Sequence, residues 1–211
     1  MMPSAPSSFP SSRQNPEVRD RIERAAVQVF ADSEFHQVTL QQVAKAARCS
    51  LQTLYRYYGN DQQGSKEALL SACLHHGLEQ LAERMLDHLA GIATFRDRLS
   101  KVFWVVLDFF DRNPEMGRMM INSVYPGLWG SDTTPAQQQL SGLFISVLRE
   151  GQEQGILNDR VATPILLDFF YGVLLRVSQM HLLRGREGQL ADQHGVLFDM
   201  LWRAITIAPA E

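Results

Sequence analysis

The sequence predicts an all-α protein in which a small N-terminal three-helix unit containing a helix-turn-helix is joined to a larger helical domain. Three observations carry that prediction. Apolar residues recur at helical spacing, no segment sustains the alternation of a half-buried strand, and two short helical segments between residues 39 and 58 are joined by a turn of about three residues. With 45% hydrophobic residues in 211, the chain holds enough apolar surface for a sizeable core.

Residues 1–16 are dominated by Ser and Pro with a single Phe, too little apolar surface to offset the entropy of ordering, and are read as a disordered arm. The arm lacks the charged and apolar regions of a signal peptide. The richest apolar stretch, "VFWVVLDFF" at 102–110, is cut by Asp108 and followed by Arg112, so no run of about 20 apolar residues is expected to span a bilayer. Cys49 and Cys73 are too few for a disulfide framework and read as reduced thiols, which fits a cytoplasmic protein. The net charge of −3 excludes a chain that is basic throughout, so any nucleic-acid-binding surface must be local. Residues 1–70 hold eight Lys and Arg against seven Asp and Glu; residues 71–211 hold twelve against sixteen.

From Pro16, Ile22, Ala25, Ala26, Val29 and Phe30 share one face of a first helix, with Arg21, Glu23, Arg24 and Gln28 on the other side, and its end is expected near Phe35. Thr39 is placed to cap a second helix, with Gln42 at the capping-box position and Leu40, Val43, Ala44 and Ala47 facing inward. Ser50 is placed to cap a third helix, Leu51 to Tyr58. Leu54 and Tyr58, four apart, turn inward and leave Gln52, Thr53, Arg56 and Tyr57 outside. Those outward groups suit DNA: Gln can pair with an adenine edge, Arg with a guanine, and the Thr methyl with a thymine methyl, while Tyr55 and Tyr57 suit phosphate oxygens.

The run "RIERAAVQVFADSEFHQVTLQQVAKAARCSLQTLYRYYGN" followed by "SKEALL", roughly residues 17–70, resembles the tetracycline-repressor (TetR) family of bacterial transcription regulators. The resemblance implies a DNA-binding domain over residues 17–70 and an effector-binding and dimerisation domain over 71–211. It implies operator contacts at Gln41, Ser50, Gln52, Thr53, Tyr55, Tyr57 and Lys66, to which the residue chemistry adds Thr39 and Arg56, with Lys66 on a phosphate. This sequence departs from the family pattern in two places. Arg48 stands at the turn position that is usually Gly, and "DQQG" intervenes before "SKEALL".

The rest reads as helical, with a long fourth helix from about Ser65 to Ala90 and a buried fifth from about Phe95 to Arg112. Phe103, Trp104, Leu107, Phe110, Met116, Met119, Met120, Tyr125 and Trp129 supply rings and adaptable thioethers, materials either of an apolar pocket or of ordinary core. Within this set the ligand-binding candidates are Phe103, Trp104, Leu107, Met116, Met120, Tyr125 and Trp129. Polar contacts could come from Asp108, Asn122, Arg176, Gln179 or His181. Two late helices, about Pro135 to Gln154 and Thr163 to Leu183, have apolar faces broader than one bundle needs. Leu143, Val147, Phe169, Val173 and Val177 are therefore candidates for a homodimer interface.

His75 and His76 lie near Cys73, but adjacent residues do not share a helix face, and no metal or other cofactor is expected. No G-x-S-x-G, H-E-x-x-H or Walker loop occurs, so an enzyme is not expected. The expected function is a ligand-responsive regulator, a repressor in most of the family, that binds a near-palindromic double-stranded operator as a homodimer and is released by a small-molecule effector. The alternative is a helical binding protein of the same ancestry without operator recognition.

Overall fold

A computed structural model describes residues 15–59, 65–89, 91–122, 135–185 and 188–207. Nine α-helices are seen among them, and the extended backbone reduces to one isolated antiparallel bridge, Leu157 with Thr206.

Helix α1 (Pro16–Ala31) begins where its sequence permits: the Asn15 side-chain oxygen accepts the Glu17 N–H at 2.9 Å, and Pro16 takes a position whose N–H would have no helical partner. Asn15 and Pro16 thus belong to the helix start, while the rest of the expected arm lies outside the described residues. α1 ends earlier than expected. Asp32 and Ser33 are poor helix formers, and Phe35 folds back in a short 3-10 turn (Phe35–Gln37) to stack on Phe30 at 5.9 Å between ring centroids.

Helix α2 (Leu40–Ala46) has the full capping box: Thr39 Oγ1 accepts the Gln42 N–H at 3.3 Å, and Gln42 Oε1 accepts the Thr39 N–H at 2.7 Å. It closes in a Schellman arrangement, with the Cys49 N–H on the Ala44 carbonyl at 3.0 Å and the Arg48 N–H on the Lys45 carbonyl at 3.2 Å. That closure needs a left-handed residue after the cap, and Arg48 adopts it with φ 49°. A glycine would hold this conformation without strain; an arginine bears a cost of about 1–2 kcal/mol. Helix α3 (Leu51–Tyr58) is capped by Ser50, whose hydroxyl accepts the Thr53 N–H at 3.0 Å.

Helix α4 (Ser65–Leu89) runs through two cores. Its first half sends Leu69, Leu70, Cys73 and Leu74 into a cluster with Ile22, Ala26, Phe30, Val43, Leu54 and Tyr58. Leu81 and Met85 join a second cluster built on helix α5 (Phe95–Arg112), which is buried without interruption from Val105 to Asp111, as expected of a central helix. Helices α7 (Pro135–Glu153), α8 (Thr163–Leu183) and α9 (His194–Ile205) complete that cluster through Phe144, Leu148, Phe170, Leu174, Phe198 and Leu201. Helix α6 (Pro114–Asn122) spans both: Met119 is fully buried in the first cluster, and Met116 packs against both. Neither α6 nor α9 was anticipated as a separate helix.

α8 is less densely apolar than 102–110 but much longer. Among the described residues it is the one helix long and apolar enough by composition to cross a membrane. Asp168 and Arg176 interrupt it, and in this fold one face packs on the second core through Leu166, Phe170 and Leu174.

Burial raises the Cys73 thiol from its ordinary 9.0, and burial followed by the nearby Glu23 carboxylate raises the Tyr58 phenol. Both groups keep their protons in the folded chain where the unfolded chain loses them. Their contribution is therefore intact below about pH 9 and declines as pH rises, by up to about 1.4 kcal/mol per pH unit for the thiol. Urea unfolding at a series of pH values should show this decline, and Cys73→Ala should flatten it between about pH 9 and 10; an identical profile in the variant would show that the thiol does not titrate with unfolding.

Candidate nucleic-acid interface

The orientation of α3 is set from below. Leu54 is fully buried and Tyr58 nearly so, and the Tyr58 hydroxyl donates to Glu23 Oε1 of α1 at 2.9 Å. Glu23, assigned by spacing to the polar side of α1, is in fact buried; Arg19 Nε donates to the same oxygen at 2.9 Å, a pairing that raises the guanidinium pKa. The Cys73 thiol of α4 reaches the Glu23 backbone carbonyl at 3.7 Å. A buried carboxylate is stable only when paired, so the Glu23 side chain ties α3 to α1, and its backbone carbonyl adds the contact with α4. The period of the sequence could not reveal this, because Tyr58 comes from another helix.

With Leu54 and Tyr58 inside, Gln52, Tyr55 and Arg56 are exposed, as are Thr39 and Gln41 at the start of α2. The Ser50 and Thr53 hydroxyls lie 2.9 Å apart and bond each other as well as the helix start. Tyr57 is half-buried. Its hydroxyl accepts the Asn15 N–H at 3.0 Å and donates to the Asn15 carbonyl at 3.4 Å, and the Arg56 guanidinium lies 5.6 Å from its ring centroid. The chain start, which no sequence signal tied to α3, is thereby brought to the same face.

Lys66, in the first turn of α4, does not simply point outward. Its ammonium donates to the carbonyls of Phe35 at 2.9 Å and Val38 at 3.1 Å and sits 4.4 Å from the centre of the Phe35 ring. These contacts fasten α4 to the turn before α2. Charge-assisted bonds of this kind contribute about 1.5–3 kcal/mol each when desolvated, less here because the site is only partly buried. Lys66→Ala should lower unfolding free energy by about 1–3 kcal/mol and leave the salt slope of DNA binding unchanged; a slope shallower by about one would instead put Lys66 on a phosphate.

The ligand-binding candidates are scattered. Phe103 and Leu107 are fully buried, with Phe103 edge-on to Phe170 at 5.9 Å and also 5.9 Å from Phe198. Trp104 is half-buried, with Lys101 Nζ 3.8 Å from its ring and His88 edge-on at 5.5 Å. Met120 touches both clusters, and Tyr125 and Trp129 lie outside the described residues. Met116 alone of the set lines a described cleft, of about 440 Å³, whose walls include Asp20, Glu23 and Arg24 of α1, His76 and Gln80 of α4, and Glu115. A second cleft of about 350 Å³ lies between α8 and α9, lined by Val177, His181, Arg184, Leu190, Gln193 and Leu197.

Of the proposed polar pocket residues, Asp108, Asn122, Arg176 and Gln179 are engaged elsewhere, while His181 lines the cleft between α8 and α9. Asp108 is buried and paired with Arg84 of α4 and with Arg112 Nε at 2.9 Å. The Asn122 amide donates to the Ala31 carbonyl at the end of α1 at 2.7 Å. Arg176 donates to Gln179 at 2.8 Å, and His181 Nε2 lies 3.7 Å from Asp111 Oδ1.

Of the dimer candidates, Leu143 and Phe169 are exposed, and Val147, Val173 and Val177 are half-buried. Ile165 on α8 is exposed at 59%, and on α9 Val196 and Met200 reach 70% and 65%, more than any dimer candidate. The apolar surface therefore extends onto a helix that sequence reasoning did not consider. The i, i+4 spacing of Val196 and Met200 beside Leu197 was its available signal.

Comparison with known proteins agrees with this geometry. Residues 22–73 match the model of "Bacterial regulatory proteins, tetR family". The chain is 26% identical over 151 residues to the HTH-type transcriptional repressor SCO4008 of Streptomyces coelicolor, covering 70% of this chain and 71% of that protein. It is 22% identical over 170 residues to the HTH-type transcriptional regulator UidR of Escherichia coli K12, covering 79% and 84%. In fold it is similar to a protein from Shewanella sp. PV-4 assigned to the TetR family transcription regulators, with a TM-score of 0.78 and 19% identity over 90% of this chain and 99% of that one. Together the match of residues 22–73 and the similarity to curated regulators over most of the chain support a helix-turn-helix transcription regulator of the TetR type.

Proposed function

We propose that the protein is a homodimeric repressor whose α3 helices enter successive major grooves of a near-palindromic operator, and which a small-molecule effector releases. The observation that carries this reading is the fixed rotation of α3: burial of Leu54 and the Tyr58–Glu23 bond turn Gln52, Tyr55 and Arg56 outward together. In this reading Gln52 and Arg56 read base edges. Gln41, Tyr55 and the Ser50–Thr53 hydroxyl pair lie along the phosphates, and Thr39 serves first as a cap. Residues 17–70 then form the DNA-binding domain and 71–211 the effector-binding and dimerisation domain, in a protein of the bacterial cytoplasm.

Release would pass through α6. Met116 fits against α4 where Gly77 leaves room; a Cβ there would lie 2.8 Å from the Met116 sulfur. Met119 fills the first core and Asn122 holds the end of α1. An effector beside Phe103, Leu107 or Met116 that displaces α6 would move α1 and α4 together and change the spacing of the two α3 helices. Effector and operator affinities then oppose each other by the same factor.

Selection of the purified protein against random duplex DNA at near-physiological salt should return a near-palindromic motif. Gln52→Ala and Arg56→Ala should each relax one position per half-site, at a cost of about 1–3 kcal/mol. No enrichment by folded, dimeric protein would refute operator recognition, and unchanged motifs in both variants would refute these base contacts.

The dimer surface is assigned to α8 and α9, with Ile165, Phe169, Val196 and Met200 at its centre and Val173 and Val177 beside the groove between the helices. Light scattering of Phe169→Glu and Met200→Glu should show monomers. A dimer that survives both substitutions would place the interface elsewhere, with Leu143 and Val147 on α7 the next surface to test.

A further inference from the structure

The Glu23 carboxylate has one oxygen that the fold does not use. Arg19 Nε and the Tyr58 hydroxyl both bond Oε1 at 2.9 Å, and Oε2 has no hydrogen-bond partner among the described residues although the side chain is only 8% exposed. That oxygen is not sealed in, and Glu23 lines the cleft of about 440 Å³ between α1, α4 and α6. A nearly buried carboxylate with a free oxygen beside an open cleft is short of a donor.

The rest of the cleft carries the same sign. Asp20 of α1 and Glu115 of α6 line it with Glu23, so three carboxylates stand against one guanidinium, that of the exposed Arg24. Among the described residues Asp20 makes no hydrogen bond or ion pair, and Glu115 has only Arg118, at 3.7 Å. Val27, Cys73 and Met116 supply apolar lining from all three helices, and the Met116 thioether suits an aromatic ring. Carboxylates above apolar lining select a cation with an apolar body, and a planar amidinium adds two parallel donors for one carboxylate.

We propose that this cleft binds a small organic cation, an amidinium or ammonium on an apolar body, and that the bound cation lowers operator affinity through Glu23. The cation takes Oε2, while Oε1 is the acceptor that holds Tyr58 and with it the rotation of α3. Charge drawn toward Oε2 weakens the bond at Oε1, and α3 regains the freedom that burial of Leu54 alone leaves it. This route differs from displacement of α6, because it reaches α3 from α1 inside the first core. It rests on the reading of α3 as the operator-binding helix, and cation and operator then weaken each other by the same factor.

Benzamidinium, neutral benzamide and benzoate share a ring and differ in charge. Each is titrated by calorimetry into the full chain without DNA, at constant ionic strength, and then into its complex with a selected operator, followed by fluorescence anisotropy. Benzamidinium should bind once per protomer, and the other two roughly tenfold more weakly or not at all. In saturating benzamidinium the operator affinity should fall roughly tenfold, within the usual range of such couplings. Asp20→Asn combined with Glu115→Gln should weaken benzamidinium binding roughly tenfold without touching the Glu23 bonds. Tyr58→Phe should still bind benzamidinium but lose its effect on operator affinity. Melting temperatures confirm that each variant is folded.

A folded chain that binds none of the three probes, or binds benzamide as well as benzamidinium, would overturn the proposal. Undiminished affinity in the doubly substituted protein would do the same by putting the ligand elsewhere, and tighter binding of benzoate would give the cleft to Arg24 and an anion. Benzamidinium binding with no change in operator affinity, or with an equal change in Tyr58→Phe, would overturn the coupling through Glu23. Absence of operator binding in the ligand-free chain would instead be a failure of the operator reading, and the calorimetry would still decide the cation site.

Discussion

A single buried carboxylate organises the N-terminal half of the molecule. Glu23 cannot stay charged inside a core without partners, and the partners it takes, Arg19 on its own helix and Tyr58 at the end of α3, fix the rotation of the third helix against the first. Leu54 alone would hold α3 to the core through non-directional contact and permit a range of rotations. The hydrogen bond from Tyr58 removes that freedom. Every statement about which side chains of α3 face outward follows from it, and so does the nearness of Tyr57 to Asn15.

The second organising feature is the sharing of helices. α4 contributes Leu69 and Leu70 to one core and Leu81 and Met85 to the other, and α6 places Met119 in the first while Met116 bridges both. Lys66 fastens the start of α4 to the turn before α2, and the pairing of Arg84 with Asp108 fastens its far half to α5. Both halves of α4 are thus tied to neighbouring elements, one in each core.

Much of this was legible in the sequence because it depends on local chemistry. Thr39 with Gln42, Ser50 before Leu51, and Leu54 with Tyr58 are signals whose partners lie within four residues, and all three take their expected places. What escaped depends on residues distant in the chain. Glu23 falls on the polar side of α1 by period, and its burial is made tolerable by Arg19 together with Tyr58, which lies 35 residues away. Lys66 has the position of a phosphate-binding residue, but its carbonyl partners are supplied by a turn about 30 residues earlier. The aromatic and Met residues of the second core could not be sorted from sequence into wall and filling, since both roles select the same side chains. Arg48 is an intermediate case: the sequence marks it as standing where glycine is usual, and the structure shows that it takes the left-handed conformation itself.

The sharing of α4 and α6 also bears on how the chain comes apart. Were the first core to melt, the second would lose part of its wall, because the same two helices complete both. The stabilities of the two cores are therefore coupled through α4 and α6. The helix-turn-helix is for the same reason a poor candidate for excision: cutting after α3 strips Leu69, Leu70 and Met119 from its interior. The molecule reads as two parts by sequence, and two of its helices belong to both.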